Sequence, residues 1–169
     1  MQTWDAITSR RNVRSYADRP IQDDDLDRIL EAGRRAPSSQ NWQPWDFVLV
    51  TEREQLRELA KVWRGAGHVA DSAATIVIVG PANDNPFRRA QLDLGQATMA
   101  MMIAAADLGI GSCQAGIADL PRVRELLGIP DDRDWALLMS LGYPAGRPLA
   151  PVRNPDRRPF DDVVHRGRW

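Results

Sequence analysis

The sequence predicts an α+β fold in which helices enclose a small central mixed sheet, and three observations carry that prediction. Three apolar runs of strand length, at residues 46–50, 74–79 and 135–141, are separated by helical patterns of unequal length rather than by regular βαβ alternation. Residues 88–108 are helical in pattern and apolar nearly all round, which demands cover on every side. The 169 residues suffice for one core but not for two separated ones, so 1–169 is read as a single domain with 145–169 as an extended tail rich in Arg and Pro. Strand order is not readable from these signals.

Taken in order, the N-terminus reads as a short helix with Trp4 and Ile7 on its apolar side, followed by the basic run Ser9-Arg10-Arg11-Asn12-Val13-Arg14. A second helix begins at Asp23 or Asp24, whose carboxylates can accept from free backbone N–H groups. It carries Leu26, Ile29, Leu30 and Gly33 at helical spacing and stops at Pro37. A polar loop then leads to the strand at 46–50. Thr51-Glu52-Arg53-Glu54 fits a capping box, opening a helix with Leu56, Leu59 and Trp63 that Gly65 and Gly67 close. The run at 74–79 is continuously apolar, as in a strand covered on both faces. Residues 81–86 read as a loop before the long helix, and Gly109 to Ile117 as a glycine-rich turn region. Asp119 caps a helix with Pro121 in its first turn and Val123, Leu126 and Leu127 on its buried side, which Gly128 and Pro130 end. The strand at 135–141 breaks at Gly142-Tyr143-Pro144, and the tail offers few core residues until Phe160, Val163, Val164 and Trp169.

Composition narrows the chemistry by exclusion. A formal net charge of -1 gives no drive toward nucleic acid or an anionic membrane. No window approaches the roughly 18 apolar residues that span a bilayer, and the N-terminus lacks a basic region followed by an apolar one, so a cytoplasmic location is expected. The single Cys113 excludes an internal disulfide and a Cys-based zinc cluster, and with only His68 and His165 no metal site is expected. Gly109 and Gly111 follow a helix rather than a strand and lack a third glycine, so no dinucleotide fingerprint is present. A phosphate loop of the Gly-Lys-Ser/Thr kind is also missing, and the only lysine is Lys61. Neither histidine stands beside a strained nucleophile turn, and His68, after a glycine-bracketed helix end, reads as a solvated or capping residue.

What remains is a chain with arginines crowding both ends and a polar, proline-bounded loop between them. Arg10, Arg11, Asn12 and Arg14 place cationic donors and an amide at a helix end, a composition suited to a phosphate and its neighbouring hydroxyls. A solvated basic surface would explain the same residues. Ala36-Pro37-Ser38-Ser39-Gln40-Asn41-Trp42-Gln43-Pro44-Trp45 packs hydroxyls, amides and indole into a segment too polar for a core and stiffened by proline at both ends.

These stretches, with Leu108-Gly109-Ile110-Gly111-Ser112-Cys113 and Gly116, and Leu141-Gly142-Tyr143-Pro144 followed by Arg157-Arg158-Pro159, resemble the nitroreductase family of flavoproteins. The likeness runs in order along almost the whole chain. It implies the family's α+β fold, an intertwined homodimer, and one FMN at each of two sites built from both subunits. It implies that Arg10, Arg11, Asn12 and Arg14 bind the phosphate, ribityl chain or flavin edge, with Arg157 and Arg158 returning to the phosphate. Pro37, Ser38, Ser39, Asn41 and Gln43 would line the ribityl chain and ring. Gln114, Ala115 and Gly116 would run beside the ring near N5, and Gly142 would fall near the phosphate. Catalysis would rest on FMN rather than on a side chain. NADH or NADPH would deliver hydride, and a nitroaromatic, quinone or activated alkene would collect it from the same pocket in a ping-pong cycle. A flavin carrier or sensor without turnover, or a relative using flavin for another reaction, fits the same motifs. Two departures stand out: no extended insertion separates the second strand from the long helix, and Ala115 stands where some members carry an acidic residue.

Overall fold

The computed structural model describes residues 1–81 and 90–169. Its described elements are α1 (Thr3–Ser9), α2 (Asp23–Arg34), β1 (Asp46–Val50), α3 (Arg53–Leu59), β2 (Ala74–Gly80), α4 (Ala90–Asp107), β3 (Gly111–Ala115), α5 (Leu120–Leu127) and β4 (Trp135–Gly142). The loop expected at 81–86 and the start of the long helix at 88 lie outside the described residues, apart from Pro81. No described helix is long and apolar enough to cross a membrane.

The four strands form one sheet in the order β1-β2-β4-β3. The expected α+β architecture is present, but the strand directions correct the expectation of a mixed sheet. Every strand pair is antiparallel, and the described parallel contribution is a single-residue bridge from Asn12 to Ser112. Apolar runs report which faces a strand buries, not which way it runs.

β2 explains the layering. All seven of its residues are buried, and their alternation feeds two cores. Ala74, Ile76 and Ile78 join Met139 and Leu141 beneath α2 and α4, around Ile29, Leu94 and Met101. Val77 and Val79 join Leu138 and Ala115 on the other face, against Leu56 and Leu59 of α3 and Val123 of α5. The second face turns polar toward one end, where Ser72, Thr75 and Ser140 are buried together.

Helix ends match the sequence unevenly. Asp119 accepts from Arg122 N–H at 3.0 Å, and Gly128 closes α5 in the left-handed region at φ 66°. At α2 the capping residue is Gln22 without a side-chain bond, so Asp23, Asp24 and Asp25 act through the helix dipole instead. The capping box at Thr51 does not form, because Glu52 takes the cap position and makes no side-chain cap bond. Gly109 to Ile117, read as a turn region, contains strand β3. There Gly111 is required for a physical reason: a Cβ would stand 2.6 Å from the Val13 side chain.

Candidate cofactor site

The two Arg-rich ends meet at the β3 edge of the sheet. Beyond α1 the chain runs beside β3: Asn12 bridges Ser112, Val13 N–H donates to the Ser112 carbonyl at 3.0 Å, and Val13 is buried. The tail returns to the same place, since Val152 N–H donates to the Thr8 carbonyl at 3.0 Å. Arg11 ties them further, its guanidinium donating to the Arg147 and Pro148 carbonyls at 2.6 and 3.5 Å. The resulting cleft, about 470 Å³, is lined by Arg10, Arg11, Asn12, Arg147, Asp156 and Arg157 among others. Four guanidiniums against one carboxylate give it a charge and donor set suited to an anion with several acceptor oxygens. Burial first and the Arg147 charge second lower the Arg11 pKa, and a bound dianion would relieve the second cause. Arg158 instead donates to the Asp162 carbonyl at 2.9 Å, within the tail's own turn, and is absent from this lining.

Arg14 lines a different cleft, about 700 Å³, with Arg19, Arg53 and Asp71. Its charge also reaches inward to His68 and the Cys113 thiol. Between them lies a polar cluster that the sequence did not announce. The Tyr16 hydroxyl is 2.6 Å from the Val13 carbonyl and 2.7 Å from Ser140 Oγ. Ser140 Oγ is 3.1 Å from the Cys113 carbonyl and 3.0 Å from His68 Nδ1. His68 is therefore not the solvated or capping residue expected: its Nδ1 is held by β4, and its Nε2 is buried with no partner among the described residues. Burial and then Arg14 lower the His68 pKa, whereas burial raises those of Tyr16 and Cys113.

Gln114 and Ala115 sit on β3, Gln114 exposed and Ala115 buried, and Gly116 follows directly. The Trp63 ring passes 3.9 Å from where a Gly116 Cβ would be. Trp63 was expected on the helix that carries Leu56 and Leu59. It lies beyond α3, 39% exposed, and presents an indole beside the glycine predicted to border a flavin. Gly142 is buried and structural: a Cβ there would stand 2.6 Å from the Tyr16 ring, so its bare backbone lets Tyr16 reach Ser140.

The predicted loop wall stands elsewhere. Ser38 Oγ accepts from Gln43 N–H at 2.9 Å, Gln43 Nε2 donates to the Asn41 carbonyl at 3.1 Å, and Pro37 precedes this knot. Ser39 N–H points between the two oxygens of the buried Asp93, at 3.3 and 3.2 Å. Gln40, Asn41 and Gln43 all have positive φ, at 53°, 57° and 53°. The loop feeds the first residue of β1, whose partner is Val79, while the Arg segment docks at the first residues of β3, on the far edge and at the opposite strand ends. Three strand spacings of about 4.8 Å and five residues of strand rise, from the level of Val79 to that of Ala74, place these corners about 22 Å apart. One chain thus assembles the Arg wall and the β3 wall and holds the loop wall at the opposite corner.

A family model described as the nitroreductase family matches residues 7–66 and 62–143. An Archaeoglobus fulgidus protein with the provisional name NADH dehydrogenase/NAD(P)H nitroreductase is 34% identical, with 96% of each chain covered. The NADPH-flavin oxidoreductase of Vibrio harveyi is 28% identical over 99% of this chain and 74% of its own. Among solved structures, an FMN-dependent nitroreductase from Clostridium difficile superposes with a TM-score of 0.85 at 26% identity, covering 97% of this chain and 98% of its own.

Proposed function

Because the chain belongs to the nitroreductase family, we propose that it is an NAD(P)H-dependent flavin oxidoreductase holding one FMN at each of two sites shared by a homodimer. The observation that carries this reading is the convergence of Arg10, Arg11, Arg147 and Arg157 on one cleft from opposite ends of the chain. That donor set fits a phosphate monoester, and the glycine-bordered indole of Trp63 fits a flat ring nearby.

The dimer is supported by the separation of the walls and by exposed apolar surface. Asn41 and its loop cannot close over the Arg cleft of their own chain, but a two-fold partner can bring its copy. On α4, Leu92 and Met99 are 63% and 43% exposed, with Gly95 exposed on the same face. Phe160, Val163 and Trp169 of the tail are exposed as well. A helix apolar on all sides is covered when a second copy packs on it.

When bound, FMN would supply the redox chemistry, a ping-pong hydride transfer between a reduced nicotinamide and a nitroaromatic, quinone or activated alkene. The protein's part is to hold and orient. Arg10, Arg11 and Arg157 anchor the phosphate, with Arg158 a further candidate from the tail. Ser38, Ser39, Asn41 and Gln43 from the partner copy give hydroxyl and amide contacts, with Pro37 stiffening their loop. Arg14 favours negative charge at the ring, while Gln114, Ala115 and Gly116 offer backbone groups along its edge.

Reconstitution with FMN followed by rapid mixing with NADH and NADPH tests the reading. The wild type is expected to bind FMN as a dimer and to bleach with at least one donor. Flavin that binds but bleaches with neither marks a carrier or sensor instead. Arg10→Ala should weaken FMN binding by about 1.5–3 kcal/mol, the worth of a charge-assisted contact, measured by fluorescence titration. Unchanged affinity removes Arg10 from the site.

A further inference from the structure

The cluster around Ser140 fixes where the His68 proton sits. Four short contacts meet there: Tyr16 hydroxyl to Val13 carbonyl, Tyr16 to Ser140, Ser140 to Cys113 carbonyl, and Ser140 to His68 Nδ1. The two carbonyls only accept, and the two hydroxyls own one proton each. With the imidazole proton on Nδ1, three of the four contacts have a donor; with it on Nε2, only two do. The neutral ring is therefore the Nδ1–H tautomer, donating to Ser140. Its Nε2 is left as a lone pair, buried and without a partner among the described residues.

The charges facing this ring favour its neutral form. Arg14 acts on it from the N-terminal segment, Ser140 meets its Nδ1 with a hydroxyl that also touches the Tyr16 hydroxyl, and Cys113 lies on the adjoining β3. Among the described residues no carboxylate acts on it. Cys113, opposite Ser140, directly precedes Gln114 and Ala115, and both Arg10 and Arg14 act on its thiol. His68 is thus tied through Ser140 to the Cys113 carbonyl of β3, the strand that carries Gln114 and Ala115, and feels the charge of Arg14.

We propose that His68 takes up a proton at Nε2 when electrons enter the site, so that charge loading is balanced by a titrating histidine instead of a fixed cation alone. The inference rests on the flavin reading above. Two electrons and one proton come from the reduced nicotinamide, leaving one net negative charge; a second proton, from solvent, binds Nε2 and returns to solvent when the acceptor removes the electrons. Ser140 is the positioning residue, because its oxygen keeps the first ring proton on Nδ1 and leaves Nε2 open for the second.

The test is the midpoint potential of the FMN-loaded protein as a function of pH. Between about pH 6 and 8, the wild type should take up two protons per two electrons, a slope of about 59 mV per pH unit, at about 30 mV for each proton in a two-electron couple. His68→Gln should take up one. A one-proton slope in the wild type, or two protons in both proteins, overturns the proposal. Nitrogen NMR of the His68 ring in flavin-free protein gives an independent reading: Nδ1–H is expected, and Nε2–H overturns the assignment without touching the cofactor. Protein that refuses FMN at reconstitution fails the flavin reading first and takes this inference with it.

Discussion

Gln40, Asn41 and Gln43 hold left-handed backbone within four residues. Asn tolerates that region, and Gln43 is helped by its bond to the Asn41 carbonyl, but a longer side chain such as that of Gln40 is disfavoured there, at a cost on the order of 1–2 kcal/mol. Replacing Gln40 by Gly should therefore raise stability by about 0.5–1 kcal/mol, strain relief outweighing the added chain entropy. Urea unfolding checks this, and an unchanged or lower midpoint places the strain elsewhere. The residue types of this loop were legible in the sequence; their strain was not, since nothing in a Gln codes for positive φ. Arg10 and Arg11 were legible through charge alone. His68 was not, because the partner that defines it, Ser140, lies 72 residues away.

At the scale of elements, a buried carboxylate ties the loop to α4. Asp93 is 2% exposed and accepts from Ser39 N–H with both oxygens. Asp93→Ala would leave that N–H without its acceptor and should cost about 1–3 kcal/mol. It should also lower FMN affinity in the dimer, read by flavin titration; a loss of stability with affinity intact would make Asp93 a scaffold residue only. β1, β2 and β4 were visible as apolar runs because packing on a sheet needs them. β3 was hidden because Gly111, Ser112 and Gln114 are poor strand formers, and the strand exists through its pairing with β4 and the close approach of Val13. The antiparallel order likewise depends on connections between distant elements.

For the whole molecule, the clearest pH response comes from groups that refuse or prefer protons only when folded. The folded His68 pKa lies below its ordinary value, so as pH falls through about 6.5 the unfolded chain binds a proton that the native ring declines, and stability falls. Glu31, lowered to about 2 by hydrogen bonds from Arg34 and Arg35, loses its smaller contribution further down, as pH drops from about 4.5 toward 2. Urea midpoints should decline between about pH 7 and 5, with less decline in His68→Gln; equal slopes would show that the burial of this ring is not felt. The placement of the Arg wall and the Asn41 loop at opposite corners of one chain also has a genetic meaning. Two separately inactive alleles, one Arg10→Ala and one Asn41→Ala, should rescue each other when co-expressed, because each mixed dimer rebuilds one whole site from its two sound halves. Random pairing makes about a quarter of all sites intact, and co-purified protein that regains no activity would mean that both walls serve the same chain.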